Sequence, residues 1–171
     1  MTGDLRISEF VLSYPRDMEK LRSFLCNHHL TLDSDVQVAF GVLDRNDQIR
    51  ACGCAAGALL KCFAVDPRLR GQNILGSLIS KLVQNRFSVG LYDLFIVTRT
   101  KNREFFVKCG FYPLVETREL VLLENRSDGP KSFATPFMEP GDEDRLIGSL
   151  VMNCNPFTLG HQALVEFASQ K

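Results

Sequence analysis

The stretch Cys62-Phe-Ala-Val-Asp-Pro-Arg-Leu-Arg-Gly-Gln-Asn-Ile-Leu-Gly-Ser-Leu78 decides how the chain folds. Its apolar start, Cys62 to Val65, reads as a strand that stops at Pro67, because proline lacks the N–H a sheet needs. Gly71 permits a tight turn. Ile74, Leu75, Leu78, Ile79, Leu82 and Val83 then recur at helical spacing. A helix begun this way aims unpaired N–H groups and the positive end of its dipole past the end of the strand. An anion is the ligand class such a turn holds, and Arg68 and Arg70 add charge to it.

Working outward, residues 5–12 alternate apolar with polar and suit a first strand. Tyr14-Pro15 punctuates the chain before a helix over 17–29, with Met18, Leu21, Leu25 and His28 on one face. A strand over 36–43, turn chemistry at Asp44-Arg-Asn-Asp47 and a partner over 49–59 predict a hairpin. Residues 60–65 continue as the strand leading to the turn, and a helix over 71–86 follows. After it come a strand over 94–98, a short helix over 101–109 and strands over 112–116 and 119–123. This order predicts an α+β or α/β domain with a mixed sheet over residues 1–124. Asn, Ser, Gly and Pro then enrich residues 125–144, which read as a linker, with Phe133, Phe137 and Met138 able to pin part of it. A new strand, Leu146 to Met152, and a helix over 162–168 open a second unit over 145–171.

The 171 residues carry 20 Lys+Arg and 20 Asp+Glu, so no net field favours a polyanion and binding of nucleic acid through a basic surface is excluded. No apolar run is long enough to span a bilayer, and the first residues lack the basic start and apolar core of a secretion signal. A cytoplasmic protein is expected. The six cysteines form no CxxC pairs, which favours reduced thiols, and no metal site is expected.

Arg70-Gly71-Gln72-Asn73-Ile74-Leu75 resembles the acyl-CoA-binding turn of the GNAT acetyltransferase superfamily, with Asn73 where that family prefers Gly and Leu75 where it prefers Gly or Ala. Lys108-Cys-Gly110-Phe111, following the strand over 94–98, resembles the family's second motif. The resemblance implies a GNAT-like fold, with Gly110 ending a helix at positive φ and Phe111 in the core. It also implies a seat for a CoA-like group at Phe63, Val65, Arg70, Gly71, Gln72, Asn73, Leu75, Gly76, Asn102 and Phe106. Two features weaken an acetyltransferase reading. Phe106 stands where many members keep a proton-donating Tyr, and residues 61–65 offer no carboxylate base, Asp66 lying already at the turn.

Asn155-Pro156 and Thr158-Leu-Gly160-His161 match the signature that follows the first strand of the Rossmann-like nucleotidyltransferases. That resemblance implies ATP held at Asn155, Pro156 and Gly160, with Thr158 and His161 stabilising the phosphates as they react. The two resemblances in this order are similar to the citrate (pro-3S)-lyase ligase family. Membership implies that acetate is activated with ATP and Mg2+ to acetyl-adenylate. It further implies transfer of the acetyl group to the thiol of a dephospho-CoA-like prosthetic group on the acyl carrier protein of citrate lyase. One strand and one helix cannot cover their own apolar faces, so residues 145–171 are expected to be the truncated start of a domain, and this chain alone is not expected to complete ligation. Two other readings stay open: a free-standing acetyl-CoA-dependent N-acetyltransferase, and a ligand-binding or regulatory module of another nucleotidyltransferase.

Overall fold

The computed structural model describes residues 5–135 and 150–170. The chain divides into two units, residues 1–129 and 130–171.

In the first unit, β1 (Arg6–Glu9), β2 (Val38–Leu43), β3 (Ile49–Ala56), β4 (Leu59–Val65), β5 (Phe95–Arg99), β6 (Tyr112–Glu116) and β7 (Leu120–Glu124) form one mixed sheet in the order β1-β2-β3-β4-β5-β7-β6. All neighbours are antiparallel except β4 and β5. Side chains alternate across a strand, so β2 feeds two cores. Val38, Phe40 and Val42 join Leu60, Leu78, Leu82, Phe106 and Phe111 on one face, under α2 (Ile74–Ser88) and α3 (Arg103–Lys108). Ala39 and Leu43 join Leu21 and Leu25 of α1 (Pro15–Asn27) on the other. Both faces of β2 and most of β3 are therefore buried.

The hairpin at Asp44–Asp47 forms as expected, with one Asp44 carboxylate oxygen accepting from the N–H groups of Asn46 and Gln48. The expectation of one run from 49 to 65 needs correction: the chain reverses at Gly57 (φ +53), and β3 pairs back on β4. The first helix begins earlier, at Pro15, which suits the first helical position because its missing N–H would be unpaired there anyway. Gly110 (φ +87) ends α3, and the Phe111 N–H donates to the Phe106 carbonyl at 3.1 Å.

Glu124 is buried, 3% exposed, and its Oε2 has no hydrogen-bond partner among the described residues. Loss of water, and then the nearby Asp93 carboxylate, push its pKa up. The folded state thus binds the proton more tightly than the unfolded one. The resulting stability is complete below the ordinary value of 4.5 and is lost as pH rises through the elevated one. Glu124→Gln should flatten the dependence of the unfolding midpoint on pH above the ordinary value of 4.5. It should also raise that midpoint at pH 7 by roughly 2–4 °C, the shift that ~1 kcal/mol produces in a chain of this size. Thermal unfolding across a pH series checks both.

The second unit contains most of the six-residue helix α4 (Gly129–Ala134), which begins on the last residue of the first unit, and α5 (Leu159–Ser169). The expected linker over 125–144 therefore holds helical residues, while Phe137 and Met138 lie outside the described residues and nothing is described of the Phe133 side chain. Of the strand expected over 146–152, residues 146–149 lie outside as well, and residues 150–152 are not in a strand. Leu159, Leu164, Val165 and Phe167 of α5 are exposed. Among the described residues no helix is long and apolar enough to cross a membrane.

Candidate functional site

The parallel neighbours β4 and β5 share only two register pairs, Leu59 with Phe95 and Leu60 with Ile96. Beyond them, residues 61–65 stay on β3 and residues 97–99 stay on β7, so the two strands part as both run toward their C-terminal ends. A bulge drives the separation: the β3–β4 register slips between Cys52 and Cys54, and Cys62 sits at φ +54. The backbone of each strand facing this gap has no sheet partner there. Thr98 stands on the β5 side, and its hydroxyl accepts from the Asn102 amide at 3.0 Å.

At the open end of β4 the chain makes a 3-10 turn, Pro67–Leu69, before α2. Asp66 organises it. Its carboxylate accepts from the Arg68 N–H at 3.0 Å and from Arg50 at 3.1 Å, and Arg50 in turn grips Asp44. The Arg68 N–H, with Arg50 beside it, holds the Asp66 carboxyl below the usual carboxylate range, so Asp66 is a bracket for the turn rather than a base. Gly71 takes φ +85 and Asn73 φ +55 immediately before α2. Asn73, where the related motif prefers Gly, thus holds left-handed backbone, which Asn tolerates better than other side-chain-bearing residues.

The first N–H groups of α2, from Ile74 to Gly76, have no intrahelical acceptor, the first such bond being Ser77 N–H to the Asn73 carbonyl at 3.2 Å. The Asn73 side chain lies over this turn, where a Cβ on Gly76 would collide with its Oδ1. Gly76 therefore leaves room for Asn73. Leu75 packs half-buried against the core, away from the role of a small residue in the turn. Arg70, Gln72 and Asn73 are exposed, and Val65 is half-buried. The Arg70 side chain has no ion pair among the described residues. Phe106 is 3% exposed and packs on Phe63 with ring centroids 5.5 Å apart, so it walls the gap from behind and offers no proton. The structure thus gathers Phe63, Val65, Asn102, Phe106 and residues 70–76 around the parted ends of β4 and β5. Sequence reasoning missed Arg50 and Thr98, since neither lies in a motif.

In the second unit, the segment Asn155-Pro-Phe-Thr158 leads into α5. Thr158 caps the helix, and its N–H donates to His161 Nδ1 at 3.0 Å, with its hydroxyl 2.9 Å from the same nitrogen. An Nδ1 that accepts leaves the imidazole proton on Nε2. The Phe157 ring centroid lies 5.7 Å from that of His161 and fixes its tilt. Gly160 keeps the turn bare, with the Thr158 hydroxyl oxygen 3.7 Å from where a Cβ would stand. Helix N–H groups and an Nε2–H donor lie together here, a donor set suited to phosphate. No carboxylate joins them, and no cluster of three or more His, Cys, Asp or Glu among the described residues could hold a metal.

Residues 147–171 match the family model for the citrate lyase ligase C-terminal domain. The whole chain is 33% identical to a [citrate [pro-3S]-lyase] ligase of Klebsiella pneumoniae, of which it covers 50%. A second such ligase, from Haemophilus influenzae, is 34% identical over 95% of this chain and 49% of its own length. The chain thus spans about half the length of the curated relatives it matches. Among solved structures, a GNAT-family acetyltransferase from Staphylococcus aureus superposes with a TM-score of 0.57 at 12% identity, covering 72% of this chain and 100% of its own. Along its whole length, then, the chain is similar to part of the citrate (pro-3S)-lyase ligases, and its sheet from β1 to β7 carries the GNAT fold.

Proposed function

We propose that residues 1–124 are the domain of a citrate (pro-3S)-lyase ligase that receives a CoA-like arm, and that residues 145–171 open its ATP-using domain. The arm belongs to the acyl carrier protein of citrate lyase, and acetate is the acid activated. The observation that carries this is the early end of β4–β5 pairing, which leaves a gap flanked by unpaired backbone and closed at one end by a cationic turn. A pantetheine chain is mostly amide and methylene. It can complete the broken ladder as a strand would, while its diphosphate meets the N–H groups of residues 74–76 and Arg70.

The chemistry divides accordingly. In the second unit, a carboxylate oxygen of acetate attacks the α-phosphorus of ATP and diphosphate leaves. His161 Nε2–H donates to a phosphate oxygen as charge develops on it, while the Thr158 N–H and hydroxyl, both directed at Nδ1, hold the ring in that orientation. Magnesium, when bound with the nucleotide, neutralises phosphate charge. The arm's thiol sulfur then forms a bond to the acetyl carbon, the anhydride C–O bond breaks, and AMP leaves with the electron pair. An adenylate is activated enough that the first unit needs no acid or base, which is consistent with Phe106 in the core and Asp66 tied to Arg50 and Arg68.

Calorimetric titration with dephospho-CoA tests the seat. Binding should appear, and Arg70→Glu should weaken it by about tenfold, the effect of ~1.4 kcal/mol of lost attraction at a helix start. Binding indifferent to the reversal removes the diphosphate from this turn. Acetyl-CoA-dependent acetylation of an amine by the chain would favour the free-standing acetyltransferase instead.

A further inference from the structure

Three of the cysteines meet at the bulge, on the face of the sheet covered by α1. Cys52 and Cys54 are buried there, and Cys62, half-buried, packs against the same cluster. In the β3–β4 register Cys52 stands opposite Ala64 and Cys54 opposite Lys61, so the bulged Cys62 falls between the two β3 thiols. Its positive φ turns it out of the ordinary pleat, and its S–H points to the Thr31 carbonyl at 3.6 Å, on the segment that follows α1.

The two β3 thiols differ in what they can do. The Cys52 S–H donates to the Cys62 carbonyl at 3.5 Å, which directs it at the backbone, and burial pushes its pKa up to about 12. Cys54 is hydrogen-bonded to the Cys62 side chain, which, together with burial, keeps it protonated. Cys62 gains what Cys54 loses: the Cys54 S–H, the Asp33 N–H and the charge of Lys61 bring its pKa down to about 7. Lys61 is itself fixed beside it by Asp33 at 2.7 Å and Asp35 at 2.9 Å. One exposed-side nucleophile and one adjacent protonated thiol are the two parts of a peroxide-responsive pair.

We propose that Cys62 and Cys54 are a reversible redox modification site whose oxidant is a hydroperoxide. The Cys62 thiolate attacks one peroxide oxygen, the O–O bond breaks, an S–O bond forms, and the displaced hydroxide takes up a proton as water. The Cys54 sulfur then attacks the Cys62 sulfur, an S–S bond forms, the S–O bond breaks, and the sulfenic hydroxyl leaves as water with the Cys54 proton. Two thiols and one hydrogen peroxide thus give one disulfide and two waters, and an external dithiol reverses the change by exchange. The bridge joins β3 to β4 across the bulge. The site stands apart from the proposed ligation and does not depend on it.

Mass spectrometry of the chain tests this. After reduction, exposure to one equivalent of hydrogen peroxide and tryptic digestion, residues 51–61 should be linked to residues 62–68, the pair lighter by two hydrogens and separable by dithiothreitol. The link should persist in Cys52→Ser. It should vanish in Cys54→Ser, where dimedone should trap Cys62 as the sulfenic acid. A second measurement needs no variant: iodoacetamide at pH 7 should alkylate Cys62 at least about tenfold faster than Cys54 in the reduced chain. A link that survives Cys54→Ser, a bridge through exposed Cys26, or a Cys62 left unmodified by both reagents overturns the proposal.

Discussion

Alanine in place of His161 should lower acetate- and ATP-dependent acetylation of the carrier by about 10²–10³-fold, measured in a full-length ligase carrying this segment. The expectation rests on how the ring is held. Nδ1 is occupied by the Thr158 N–H at 3.0 Å, so Nε2 carries a proton aimed away from the helix cap and available to a phosphate oxygen. A donor fixed before the reaction acts where charge grows, without reorganising at that moment. Loss of the same ring also removes a helix-end contact, which on its own costs ~1 kcal/mol of local stability. The two effects separate in an exchange assay. With acetate and ATP present, return of labelled diphosphate into ATP should fall in proportion to ligation, while the unfolding midpoint moves by only a few degrees. Unchanged exchange with His161→Ala would leave the histidine as a cap alone.

Phe111→Ala should destabilise the first unit by about 3–5 kcal/mol. The ring is 1% exposed and sits among Leu60, Leu78, Ile96 and Leu123, where α2, α3 and the middle of the sheet meet. It reaches that place because Gly110 turns the chain at φ +87 and the Phe111 N–H closes the end of α3. Neighbours on a sheet cannot collapse far into the void, so most of the lost contact goes uncompensated. Urea unfolding should show a lower midpoint at an unchanged slope. A change under 1 kcal/mol would show that the two faces of the sheet are less tightly packed than the burial implies.

Much of this architecture was readable from residue order. Apolar runs at 38–43 and 120–124, helical spacing after Gly71, and Gly110-Phe111 each announced what the structure contains, because burial imposes its pattern on the sequence, continuous for a strand covered on both faces and 3.6-periodic for a helix. The reversal at Gly57 was not readable. Ala, Cys and Gly fill the β3 arm and the turn of that hairpin, so small side chains erase the alternation that marks a strand's ends. The left-handed Cys62 was hidden for a different reason: nothing about a cysteine in an apolar run signals a bulge, which is set by pairing with β3. At the candidate site, Asn73 read as a departure from a glycine pattern, and only its φ of +55 shows the backbone shape retained. Leu75 likewise needed its packing partners before its size made sense. Glu124 ends a strand like many exposed glutamates, and its burial comes from neighbours distant in sequence. The Thr158–His161 cap lay within the quoted motif, whereas the ring's tautomer came only from the distance to Nδ1.

The two-pair seam between β4 and β5 also bears on how the chain assembles. To one side, β1 through β4 are joined by antiparallel neighbours, three of them consecutive hairpin arms close in sequence; to the other, β7 pairs with both β5 and β6. Local pairings of low contact order form early, while joining the halves must wait until the intervening helix has brought residue 95 back to residue 59. Whatever later occupies that junction acts on the last stitch of the sheet rather than on its foundations.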